Sequence, residues 1–254
     1  MLAWLGGPSA NLAIAAVHFA AAATISQLLE TNDQNRRFIE HTLSYTPVQT
    51  PGPATITVNV KTLIVFFLAV TGAFHVLYAL AGNAAVSLRF VEYALTASVM
   101  LVIIQLLSGE TDGDLVLACA VLTASTMFFG LLQDDRLRIR SIGGKAWWLG
   151  WIPFAAAWFF VVKRFFFTLS QSDNVPEFVR QIVWVELALF SCFAVVQYIF
   201  LVRRDGAAAG AADPGAGAVG DRQLKRYSGA YNVLSITAKL FLALMAFFGL
   251  RSMK

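Results

Sequence analysis

Seven stretches of this chain are long and apolar enough to cross a bilayer, which leaves it very few possible folds. They run over about Ala10–Leu29, Lys61–Ala81, Leu88–Leu107, Leu115–Gln133, Ala146–Val162, Phe178–Val202 and Ser228–Leu250. A hydrocarbon layer of ~30 Å is spanned by about 20 helical residues. Inside it, only helices and closed barrels satisfy every backbone amide and carbonyl. Continuous apolar runs of this length, without period-two alternation, predict helices. Composition agrees: 58% of the 254 residues are hydrophobic and only 13% are charged, about half the charged share of a soluble domain. The expectation is an all-α membrane protein, a single seven-transmembrane-helix bundle over residues 1–254. The lipid bilayer is its first partner. Basic residues are not interleaved with aromatics, so no nucleic-acid partner is expected. No basic stretch precedes the first apolar segment, so a cleaved signal peptide is not expected either.

Two connections stand out. Residues 31–60 are polar and carry Pro51, Gly52 and Pro53, followed by the alternation Thr55-Ile56-Thr57-Val58-Asn59-Val60. That pattern predicts a short strand, with Phe38–Tyr45 as its partner in a small sheet outside the membrane. Residues 206–220 are almost all Gly, Ala, Asp and Pro and read as a flexible linker. In the fifth segment, Pro153 is expected to kink the helix. Cys119 and Cys192 lie inside apolar runs without metal-ligand spacing and read as reduced core residues.

Orientation follows from lysine and arginine placement. Arg89, then Arg136, Arg138, Arg140 and Lys145, then Arg203, Arg204, Arg222, Lys225 and Arg226 fall in the even-numbered loops. Ser108–Asp114, by contrast, has three acidic residues and no basic one. Arg36, Arg37, Arg251 and Lys254 weigh the other way. The balance predicts an inverted topology, with a cytoplasmic N-terminus and an extracellular C-terminus. The 31–60 loop is then extracellular and the 206–220 linker cytoplasmic.

The seventh apolar run contains one charge, Lys239, close to its midpoint. An ammonium at that depth costs ~3 kcal/mol or more and lies too far from either surface to snorkel. It needs a partner, or a chemical modification. The other ionisable groups well inside spans are His18, His75, Glu92 and Glu186. Glu92 shares a helix face with Arg89 and Thr96. It is either the counterion of a cation on another helix or the local partner of Arg89 at the helix end. His18 and His75 lie at similar depth beside Glu92 and form either a proton-accepting cluster or two satisfied core histidines. Trp151, Phe154 and Trp158 share one face of the fifth helix, and Glu186, Phe190, Phe193 and Gln197 one face of the sixth. These stripes are either helix packing or a clamp around a long apolar ligand on Lys239, with Met100 and Met127 filling gaps.

Several stretches resemble heliorhodopsins, a family within the microbial-type retinal proteins. They are Arg89-Phe90-Val91-Glu92-Tyr93, Leu234-Ser235-Ile236-Thr237-Ala238-Lys239, Phe128-Phe129-Gly130-Leu131-Leu132-Gln133-Asp134, Gly72-Ala73-Phe74-His75 and Phe193-Ala194-Val195-Val196-Gln197-Tyr198. The resemblance implies all-trans retinal bound covalently to Lys239 as a protonated Schiff base, with Glu92 as counterion. Around them it implies a pocket of Ser235, Thr96, Met100, Met127, Gly130, Trp158, Phe190 and Gln197. It further implies proton transfer toward His18 and His75, with Arg89 close by, and a homodimer. Ser235 stands where proton pumps of the wider superfamily carry a second aspartate, and Ile103 where they carry a proton donor. The implied role is a non-enzymatic photoreceptor with an unknown cytoplasmic signalling partner. Two residues depart from the family pattern. Asp134 replaces an expected glutamate. Glu186 replaces an apolar residue, and as a carboxyl on the far side of Lys239 it opens an alternative: a light-activated proton transporter or channel.

Overall fold

The computed structural model describes residues 5–45, 54–81, 85–133, 145–171, 175–208 and 216–253. It holds eight helices and two strands: α1 (Pro8–Leu28), α2 (Arg36–Ile39), β1 (Glu40–Tyr45), β2 (Ala54–Asn59), α3 (Val60–Ala81), α4 (Ala85–Leu107), α5 (Gly113–Leu132), α6 (Lys145–Gln171), α7 (Glu177–Ala208) and α8 (Ala216–Ser252). All but α2, a single turn, are long and apolar enough to span a membrane, giving seven spans among the described residues. The protein is an integral membrane protein with a mostly helical, seven-span architecture.

Local chemistry explains several boundaries. Pro8 opens α1, where its missing N–H is not needed. Asp112 caps α5 by accepting from the Asp114 and Leu115 amides at 3.0 and 3.1 Å, two of the donors a helix start leaves free. α6 runs unbroken through Pro153 to Gln171, well past the expected end at Val162. Lys163 and Arg164 lie inside it, because Arg164 turns to the α4–α5 loop and donates to the Gly109 carbonyl through Nε at 2.8 Å. Both α7 and α8 enter the stretch read as a linker. Residues 209–215 lie outside the described set, as do Pro51–Pro53, Asp134 and the Arg136–Arg140 cluster.

The small sheet forms as expected. β1 and β2 pair antiparallel, Glu40 opposite Asn59 through Tyr45 opposite Ala54. Residues 36–39 form a helical turn instead of strand, and Val60 starts α3. The free edge of β1 meets the α4–α5 loop, where the Ser44 amide donates to Thr111 O at 2.9 Å. The sheet therefore caps one end of the bundle, called the sheet end below. Asn35 and Asn32 tie that cap to α8: Asn35 Nδ2 donates to Leu250 O at 3.2 Å and Asn32 Nδ2 to Met253 O at 3.1 Å.

The core is thickest toward the sheet end, where Ile64, Phe67, Leu101, Ile103, Val161 and Leu242 are fully buried. Cys119 belongs to it. Cys192 does not; it is exposed on α7. In a span whose lipid-facing side is as apolar as its core-facing side, hydropathy does not reveal which way a cysteine points.

Candidate functional site: a buried ion pair at the head of an apolar cavity

Lys239 on α8 is 3% exposed and Glu92 on α4 is fully buried. Lys239 Nζ donates to Glu92 Oε1 in a direct ion pair. The Tyr93 ring lies 5.0 Å from Nζ, close enough to stabilise the cation through its face. The second carboxyl oxygen, Oε2, accepts from the Tyr78 hydroxyl of α3. Thr96 donates to the Glu92 carbonyl at 3.0 Å, so its hydroxyl is occupied within its own helix. Both charges are thus compensated inside the bundle, the condition under which such a pair is tolerated there.

Arg89 takes no part in this pair. Its Nη2 donates to Ser228 Oγ at 2.8 Å and to Asn232 Oδ1 at 3.1 Å. Of the two partners open to Glu92 in the sequence, Lys239 is the one the structure selects.

A second network begins at Arg89 and has a fixed direction. Arginine only donates, so the Asn232 oxygen must face it and the Asn232 amide must face away. That amide donates to Asn11 Oδ1 at 3.0 Å and to Leu5 O at 2.6 Å. Asn11 Oδ1 also meets His75 Nδ1 at 3.0 Å, where the histidine must therefore be the donor. His18 Nδ1 donates to Ile14 O at 2.8 Å. In both neutral rings the remaining nitrogen, Nε2, is then an acceptor. Neither Nε2 has a hydrogen-bond partner among the described residues, although both are buried. The rings stack with centroids 5.8 Å apart, helped by close packing of α1 on α3, where a Cβ on Gly72 would come 2.8 Å from Phe19. The Tyr78 ring meets His75 edge-on at 5.2 Å and bridges Glu92 to the histidines.

From Lys239 a narrow, mostly apolar cavity runs between α4, α5, α7 and α8. Tyr93, Thr96, Ala97 and Met100 form one wall, Phe190 and Phe193 the other, with Met127 at the far end and Ser235 and Ala238 beside the lysine. The Ser235 hydroxyl has no partner among the described residues. Trp158 packs on Phe190 at 5.5 Å. A second cavity shares Met127, Phe190 and Phe193 and reaches Gly130 and Gln197. There Gln197 Nε2 donates to Gly130 O at 2.9 Å, and Phe90 lies so close that a Cβ on Gly130 would come within 2.7 Å. Trp151 and Phe154 of one stripe face the second cavity together with Phe190, Phe193 and Gln197 of the other, and only Phe190 and Phe193 also line the cavity at Lys239. The chemistry of the lining around Lys239 suits a long, apolar, conjugated aldehyde: a buried primary amine at one end, flat aromatic walls, and sulfur and small residues along its length.

Glu186 stands apart. It is fully buried in the core-facing stripe of α7, and neither carboxyl oxygen has a hydrogen-bond partner among the described residues. Tyr78, Asn11, Asn232 and Ser228 were not evident as site residues from sequence. The available signal was two asparagines at membrane depth and a tyrosine one turn from His75.

A seven-span bundle with a buried lysine–carboxylate pair on its last and third spans is the architecture of a microbial-type rhodopsin. The fold is similar to that of the crystal structure of Exiguobacterium sibiricum rhodopsin, with a TM-score of 0.59 and 15% identity over 99% of this chain and 95% of that one. The heliorhodopsin family model matches residues 9–205, and the chain belongs to that family of retinal-binding, light-responsive rhodopsins. No curated protein matches the sequence.

Proposed function

We propose that the chain is a light sensor carrying all-trans retinal on Lys239, with Glu92 as counterion. The observation that carries this reading is the buried Lys239–Glu92 pair at the head of an apolar, aromatic-walled cavity. Retinal, bound as an imine, supplies visible absorption and a double bond that light isomerises. The protein supplies the rest. Glu92 holds the positive charge at Nζ, Tyr93 and Phe193 exclude water from it, and Phe190 and Trp158 restrict movement along the cavity. When Nζ releases its proton, Glu92 Oε1 is in hydrogen-bond contact to take it. Tyr78 then joins Glu92, through its hydroxyl, to the ring of His75, which stacks on His18. This relay lies at the end of the bundle away from the sheet, which the charge pattern assigns to the cytoplasm. The N-terminus is then cytoplasmic and the C-terminus extracellular, in the cell membrane. We take the functional unit as a non-enzymatic homodimer read by a cytoplasmic partner.

Expression with all-trans retinal should give a coloured protein, and Lys239→Ala a colourless one. A colourless wild type refutes the reading. The burial of Glu186 favours a second reading, light-driven proton transport or a channel through Glu186, Lys239 and Glu92. Photocurrent under voltage clamp that disappears in Glu186→Gln supports it, and absence of current excludes it.

A further inference from the structure

Packing fixes where Glu186 lies relative to Lys239. Two contacts set the antiparallel register of α7 on α8. The Phe193 and Tyr231 rings meet at 5.7 Å, and the Phe178 ring covers Gly249 so closely that a Cβ there would come 2.3 Å from Phe178 Cγ. From the first contact toward the sheet end, Glu186 is seven residues along α7 and Lys239 eight along α8, ~10 and ~12 Å respectively at the helical rise. The two backbones are therefore level. The Lys239 side chain leaves that level toward the layer of Tyr93 and Phe193, which meet at 5.4 Å, and ends on Glu92. Glu92 and Glu186 are thus on opposite sides of Nζ along the bundle axis.

What surrounds Glu186 is apolar. Toward the sheet end its own helix presents Val179, Ile182 and Val183, all fully buried, and α8 presents Leu242, Ala246 and Leu250, likewise. Away from the sheet comes Phe190, at the cavity. Besides Lys239, the charged side chains of the neighbouring elements toward the sheet end include Arg180, six residues along α7, and Arg164 of α6 with Glu110 of the α4–α5 loop, which face each other at 4.0 Å. An ionised carboxylate sealed among aliphatic side chains, with no donor, is far costlier than the neutral acid.

We propose that Glu186 stores a proton in the dark and delivers it to Lys239 Nζ from the sheet side, after Nζ has given its own proton to Glu92. In that step the O–H bond of Glu186 breaks and an N–H bond forms at Nζ. Glu186 becomes a carboxylate, Nζ becomes cationic again, and no oxidation or reduction occurs. The aliphatic plug means that Glu186 regains a proton from the sheet-end medium only when α7 and α8 part. This inference rests on Lys239 being the retinal lysine.

The test combines infrared spectroscopy with flash photolysis on the full-length, retinal-loaded protein. In the dark, wild type should show a buried carboxylic C=O stretch that Glu186→Gln removes and Glu186→Asp shifts. The same band should appear in protein expressed without retinal. After a flash it should bleach while the visible absorption recovers, and Glu186→Gln should slow that recovery by roughly 100-fold, the usual weight of a positioned general acid. Added azide, a small diffusible acid, should restore the rate. Absence of the dark C=O band, or an unchanged recovery in a coloured Glu186→Gln variant, overturns the proposal. If Glu186→Gln does not fold, Glu186→Asp and the wild-type band decide in its place. A colourless wild type instead removes the retinal reading, and this inference with it.

Discussion

Replacing Glu92 by Gln keeps the side chain's size and its capacity to accept from Tyr78, but removes the negative charge in contact with Nζ. At a charge-assisted contact of ~2.8 Å and an effective dielectric constant near 20, the carboxylate stabilises a unit positive charge on Nζ by about 6 kcal/mol. On excitation, positive charge spreads away from the nitrogen into the cavity. A mean displacement of about 5 Å leaves only about 2 kcal/mol of that attraction. The carboxylate thus widens the optical gap by the difference, about 4 kcal/mol, and its removal should shift absorption to the red by tens of nanometres. The assay is the visible spectrum of purified Glu92→Gln against wild type in the same detergent and pH. Glu92→Asp, which keeps the charge, should shift far less. An unchanged or blue-shifted Glu92→Gln spectrum would show that the charge facing Nζ is not Glu92 and would remove it as counterion.

Three further outcomes follow from the structure. His41 of β1 is buried against the sheet end with Nε2 3.0 Å from Phe38 O, and burial lowers its pKa from the usual 6.5. A depressed folded value means that its stabilising contribution is complete above pH 6.5 and is lost as pH falls toward and through the folded value. Melting temperature should therefore drop between pH 7.5 and 5, and His41→Gln should flatten that slope. Gly249→Ala forces a methyl against the stem of the Phe178 ring, 2.3 Å from Cγ; the expected cost is ~1–3 kcal/mol, read as a lower melting temperature, and an unchanged melt contradicts the packing. Asn232→Leu cuts the link from Arg89 to Asn11, so 15N NMR should show His75 losing its single Nδ1–H form.

Much of the fold could be read before any coordinates, because a membrane span advertises itself by length and apolar content. The strand pair was legible because Thr55 to Val60 alternate where the rest of the chain does not. Lys239 was legible because its depth makes it costly, and Glu92 because few carboxylates lie deep enough to answer it. What the sequence withheld was rotation about each helix axis. With apolar residues on every side, no stripe shows whether Tyr78 faces Glu92 or lipid, or whether Arg89 turns to Glu92 or across to Ser228 and Asn232. The reach of α6 past Val162 was hidden for a related reason. Arg164 reads as a membrane-edge charge until Gly109, whose positive φ of 88° turns the α4–α5 loop back, brings a carbonyl within its range.

The string of hydrogen bonds from Arg89 through Asn232 and Asn11 to His75 behaves as a one-way device. Asn11 taken alone could flip end for end and keep its hydrogen bonds. The direction is imposed at Asn232 from two sides, by a guanidinium that has nothing to accept with and by the Leu5 carbonyl, which has nothing to donate. His75 therefore has its proton site chosen by a residue it does not touch, and the choice leaves its free lone pair ready to receive. With Gln at position 89 the string would keep its bonds, and the Leu5 carbonyl alone would hold its arrow. Arg89 and the Leu5 carbonyl together hold the relay in a receiving state, a task distinct from balancing charge.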